Sequence, residues 1–198
     1  MPLLVGTATA TLYAALAPSP LAGDSGNLAN DVRHALRDGD APLGSVDHSL
    51  PPWFFFWVVR FLGGIGVGGV SDPDPDVAFM ASVIHRMMIT NALLGGFAIA
   101  LIFIIVRRMV GGVALPLMAS LLAGTSTTIW LFAASGENQT LRLATFLCAV
   151  TLAWVPDQSR PLGRVLALGG SSAATAVMVA AHLTNVFLIP CVALGLFV

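Results

Sequence analysis

Trp53-Phe54-Phe55-Phe56-Trp57-Val58-Val59-Arg60-Phe61-Leu62, running into the glycine-rich Gly63 to Gly69, is the stretch on which the arrangement of the chain turns. It is apolar enough to enter a bilayer. However, Arg60 interrupts it, and adjacent aromatic rings favour the membrane–water interface over the hydrocarbon core. If 53–69 crosses, the polar segments before and after it face opposite sides. If it is re-entrant or lies at the surface, they share a side, and this is the reading adopted here.

The composition supports a membrane setting. The chain is 57% hydrophobic and 10% charged, with a mean hydropathy of +0.87, whereas soluble domains carry about 25% charged residues. All nine formal positive charges are arginines, and no basic run occurs, which argues against nucleic acid. Cys148 and Cys191 both sit inside apolar runs and read as small buried hydrophobes. The expected fold class is an all-α integral membrane protein, a polytopic helix bundle with about six membrane helices, counting the aromatic one.

Outward from the aromatic segment, residues Pro2 to Ala22 form a run close to the ~20 residues of a spanning helix. Without a positive n-region, a cleaved signal peptide is the weaker alternative. Within 23–51, Leu28, Val32, Ala35 and Leu36 recur at helical spacing among polar residues, as in an amphipathic surface helix. Asp38-Gly39-Asp40-Ala41-Pro42 ends it. Ser71-Asp72-Pro73-Asp74-Pro75-Asp76 reads as a solvated, proline-broken turn in preference to a metal site. Further apolar runs cover 87–106, 113–134, 138–155 and 165–181, and the last begins after His182-Leu183-Thr184-Asn185. The chain closes inside that run, at Val192 to Val198, so we expect 1–198 to be one transmembrane module, the N-terminal part of a longer protein.

Arg107, Arg108, Arg160 and Arg164 lie in short loops, which the positive-inside rule assigns to the cytoplasm. Counting helices from them, and taking 53–69 as non-crossing, makes 23–51 the first extracytoplasmic loop and 135–138 the second. The outer face then gathers Asp24, Asp47, His48, His85, Arg86, Glu137, Arg142 and His182. Polar groups in membrane segments tend to mark function. A carboxylate can take a proton from an acceptor hydroxyl, and an arginine can hold a lipid phosphate bidentately. An ion-coupled transporter would use the same groups. Each residue also has a plainer role: Asp24 or Glu137 as a helix cap, Arg86 as a snorkelling side chain, His48 and His182 as partners in local hydrogen bonds.

Gly23-Asp24-Ser25-Gly26-Asn27-Leu28, then His48-Ser49-Leu50-Pro51-Pro52-Trp53, Arg107-Arg108, Trp130 before Glu137, His182-Leu183-Thr184-Asn185 and Pro190 occur in an order that resembles membrane glycosyltransferases of the GT-C type. The closest resemblance is to the bacterial branch related to protein O-mannosyltransferases, and it runs from about residue 15 to the end. It implies a GT-C helix bundle with the aromatic helix near the outer face. It also implies transfer of a hexosyl or pentosyl group from a polyprenyl-phosphate sugar to an acceptor whose identity the sequence does not give. Asp24 would be the catalytic base and Glu137 its acidic partner. His48, Arg86, Arg142, His182 and Asn185 would bind substrate. The branch has Glu where this chain has Asn27, leaving one carboxylate at that element, and His48 stands two residues from Pro51-Pro52 instead of adjoining them. No cofactor motif occurs, no metal ligands are assigned, and a divalent cation held with Glu137 is left open. The implied location is the cell membrane, multi-pass, in contact with the bilayer. Two other classes stay open: a transporter or lipid-handling scaffold, and an inactive truncated relative acting as a partner subunit.

Overall fold

The computed structural model describes residues 1–16, 25–39, 50–134, 139–154, 156 and 159–194. Their regular structure is helical throughout: α1 (Pro2–Ala15), α2 (Ser25–Asp38), α3 (Leu50–Gly64), α4 (Pro75–Val110), α5 (Ala114–Gly124), α6 (Thr127–Ala134) and α7 (Gln139–Trp154). There follow α8 (Pro161–Val165), a π turn (Leu166–Gly170), α9 (Ser171–Ala181), a 3-10 turn (Leu183–Leu188) and α10 (Ile189–Leu194). The all-α class of the sequence reading holds.

The 36 residues of α4 make it the axis of the bundle. The Asp74 carboxylate caps it, accepting from the backbone N–H groups of Asp76 and Val77, and Pro75 occupies the first turn, where its missing N–H costs nothing. Asp72 accepts from the Asp74 N–H, and Asp76 pairs with Arg37. The acidic loop thus fastens the start of α4 and ties it to α2. Arg107 and Arg108 occupy the last turn, at the negative end of the helix dipole, before Gly111 at φ 68°.

α1 lies antiparallel against α4. A Cβ built on Gly6 would fall 2.8 Å from the Gly96 oxygen and 3.0 Å from Ala100 Cβ, while Tyr13 meets Gly95. Only glycines permit this approach. α5 and α6 also run against α4, with Gly124 beside Ile99 and Ala133 beside Gly95. Tyr13 donates its phenolic hydrogen bond to the Gly124 oxygen at 2.7 Å, in the break between them. The run 113–134 is therefore two helices. The Thr125 hydroxyl folds back onto the Leu121 oxygen, and Ser126 Oγ accepts from the Ile129 N–H to start α6.

α7 returns parallel to α4, and the helix Pro161–Ala181 packs antiparallel to α7, with Gly170 beside Leu152. Calling the N-terminal end of α4 the upper end, Arg107, Arg108, Arg160 and Arg164 all belong to the lower end. α2 and α3 pack by the upper half of α4. Ala29 and Val32 of α2, Phe55 and Val59 of α3, and Val83 and Met87 of α4 form one buried cluster. α3 thus lies beside α2 against the upper half of α4.

Two helices are long and apolar enough to cross a membrane, Pro75–Val110 and Pro161–Ala181. α1, α5 and the segment Leu183–Leu194 are apolar but shorter. The apolar run 2–22 is helical to Ala15, and 17–24 lie outside the described residues.

Candidate functional site

Among the described residues, Arg142, His182 and Asn185 come together beside α6, whose Ala133 packs on Ala92 and Gly95 at the middle of α4. Arg142 stands in the first turn of α7, one helical turn after Gln139, so its Nη1 donates to Gln139 Oε1 at 2.8 Å. Its Nη2 donates to Thr184 Oγ1 at 3.2 Å and to Asn185 Oδ1 at 3.4 Å. The acceptors meet it because α9 stops abruptly. His182 is extended (φ −165°, ψ 130°), and the chain turns into the 3-10 segment. His182 Nδ1 accepts the Thr184 N–H at 3.2 Å and lies 2.7 Å from its hydroxyl. Asn185 Nδ2 donates to the Met178 oxygen at 2.7 Å, satisfying a carbonyl that the end of α9 leaves without a helical partner. The buried Asn185 is therefore fixed on both sides, and it holds the guanidinium in one orientation.

A cavity of about 330 Å³ adjoins this cluster. Arg142, Gln139, Thr140 and Asn185 supply its polar side, and Ile129, Leu143, Phe146 and Leu188 its apolar side. The Thr140 hydroxyl and the Arg142 Nε are both buried without a hydrogen-bond partner. Burying an unsatisfied donor costs about 1–3 kcal/mol. A ligand with an oxyanion and an apolar tail would satisfy the donors and cover the apolar wall together.

Arg86 belongs to a different cavity. Its Nε donates to the Val67 oxygen at 2.9 Å. The glycine-rich segment is shaped around it: a Cβ on Gly63 would fall 2.9 Å from Nη1, and one on Gly68 2.8 Å from Cγ. Gly66 and Gly68 also adopt positive φ, of 74° and 70°. Arg86 shares a cavity of about 340 Å³ with Arg60, a residue the sequence reading left out of the site. Its signal was there: it is the one charge in an aromatic helix. Thr184 stood in the His182–Asn185 motif without a role of its own, and Thr140 carried no signal of a binding role in the sequence. Hydroxyls on apolar helices more often bond their own preceding turn, as Thr145 does to Leu141.

Asp24, His48 and Glu137 lie outside the described residues. The helices next to them are placed. α2 begins at Ser25, just after Asp24. α3 begins two residues after His48, and α7 two residues after Glu137. α2 and α3 pack against the upper half of α4, and α7 starts shortly after Ala133, which packs on Ala92 and Gly95 at the middle of α4. No protein-family model, curated protein or solved structure matches the chain.

Proposed function

We propose that this chain is a polytopic membrane glycosyltransferase module of GT-C type. It would move a sugar from a polyprenyl-phosphate donor to an acceptor hydroxyl at the upper, extracytoplasmic end. The observation that carries the reading is the oriented Arg142 guanidinium at the rim of a mostly apolar cavity, at the start of α7 next to Glu137. At about 1.5 Å per residue α4 is about 54 Å long, against ~30 Å of hydrocarbon. Part of it must stand clear of the core, and on this reading that part is its first turns, with α2 and α3 around them.

In the proposed step Asp24 takes the proton of the acceptor hydroxyl as its oxygen attacks the anomeric carbon. The bond from that carbon to the donor phosphate oxygen breaks, and Arg142 takes up the negative charge left on the leaving lipid phosphate. Glu137 supports Asp24, and Asn185 and His182 hold the arginine and its surroundings in position.

The test is Asp24→Asn, assayed in membranes with a polyprenyl-phosphate sugar. Loss of a general base lowers transfer by roughly 10²–10⁴-fold, with membrane insertion unchanged. Undiminished transfer would reduce Asp24 to a helix cap. Donor movement across vesicles without any sugar transfer would favour a transporter.

A further inference from the structure

We infer that the cavity between Arg60 and Arg86 holds the phosphate of an anionic phospholipid headgroup, drawn from the bilayer surface on which α3 rests. The inference is independent of glycosyl transfer. Arg60 of α3 and Arg86 of α4 line one cavity of about 340 Å³ together with Gly39, Gly63, Phe56 and Phe79. Neither guanidinium has a carboxylate partner among the described residues. The nearby acid Asp76 is already paired with Arg37. Two arginines around one small cavity repel each other unless an anion lies between them.

Both side chains are held in place. The Arg60 guanidinium stacks over the Trp57 ring at 5.5 Å and the Phe56 ring at 5.9 Å, which leaves the N–H groups at its edge available. Arg86 is fixed through Nε to the Val67 oxygen, and its two Nη groups remain as a fork suited to a phosphate. Gly63 lets that fork into the cavity.

The outer face of α3 says where the anion comes from. Trp53, Trp57, Phe61 and Ile65 recur every four residues and are 46–65% exposed, while Phe55, Phe56 and Val59 are buried on the inner face. A ridge of tryptophan and phenylalanine seats a helix at the headgroup level of a bilayer. Trp57, which carries Arg60, belongs to that ridge. The cavity mouth is thereby set at the depth of lipid phosphates, and its two arginines, without a carboxylate partner among the described residues, select a lipid with net negative charge.

The test is native mass spectrometry of the full chain, released from micelles with equal phosphatidylglycerol and phosphatidylcholine. The wild-type protein should retain phosphatidylglycerol preferentially. One arginine near an anionic surface is worth about fivefold in affinity, so Arg60→Gln should weaken retention by about that factor. Arg60→Gln with Arg86→Gln should abolish the preference. Arg60 is exposed and holds no turn together, so its variant carries the test if the double variant fails to fold. Equal retention of both lipids by the wild type, or undiminished retention by Arg60→Gln, overturns the assignment. Displacement of phosphatidylglycerol by millimolar inorganic phosphate identifies a free-anion site and overturns the lipid source.

Discussion

Replacing Gly96 by alanine should force α1 off α4. The new Cβ would stand 2.4 Å from the Gly6 oxygen and 2.6 Å from Ala10 Cβ. Ordinary contact begins near 3.4 Å, so the backbones must part by about 1.0 Å (3.4 − 2.4). The obstacle is main chain, which cannot swing aside as the tip of a long side chain can. Overpacking of this kind costs about 1–3 kcal/mol, and a backbone clash belongs at the top of that range. Alanine's better helix propensity returns up to ~1 kcal/mol. The net loss is about 2 kcal/mol, or roughly 30-fold in the folding equilibrium. Unfolding followed by far-ultraviolet circular dichroism in mixed micelles measures it, with Gly64→Ala as control. That position has nothing within 4 Å and should change stability by no more than ~0.5 kcal/mol. Indistinguishable midpoints for the two variants would refute the close-approach argument.

Arg142→Lys keeps the charge but loses the fork that spans Gln139, Thr184 and Asn185. One lost hydrogen bond to a charged group is worth ~1.5–3 kcal/mol, so donor KM should rise at least about tenfold, with helix content unchanged. Asp74→Ala removes the cap that takes two N–H groups at the start of α4 and should cost ~1 kcal/mol in the same unfolding assay. Tyr13→Phe leaves the Gly124 carbonyl in the α5–α6 break without its buried donor, for a loss of ~1–2 kcal/mol.

Much of the frame was legible in the residues themselves. The alternation of apolar runs and arginine-bearing turns implied an all-helical bundle with Arg107 and Arg160 at one end. The aromatic run implied a helix, and α3 is one, packed with α2 beside the upper half of α4; on which side of a bilayer it lies is part of the proposal. The face of α2 followed from periodicity: of Leu28, Val32, Ala35 and Leu36, Val32 and Ala35 are buried and the two leucines partly so, while Ala29 joins them inside.

What periodicity could not convey was where an apolar run breaks. Residues 113–134 are continuous in hydropathy. At their break Ser126 Oγ takes the Ile129 N–H to start α6, and the Tyr13 hydroxyl holds the Gly124 oxygen, a contact from another helix. Nor could a linear pattern tell that Arg86 and Arg142 serve different cavities, because that depends on which neighbouring helix each turn of α4 and α7 meets. The three groups outside the described residues, Asp24, His48 and Glu137, owe their assignment to the sequence alone.

The π turn at Leu166–Gly170 sets a phase for everything after it. A helix advances about 100° per residue, so one residue more or fewer there re-aims the whole of α9. A Cβ built on Gly169 would meet nothing within 4 Å, so that face of the turn is open; deletion is the test. It would restore an ordinary α-helical turn, swing His182 and Asn185 by about 100°, and leave Arg142 facing different groups. The contacts that aim the guanidinium are thus themselves placed from about three helical turns away, by a count of residues.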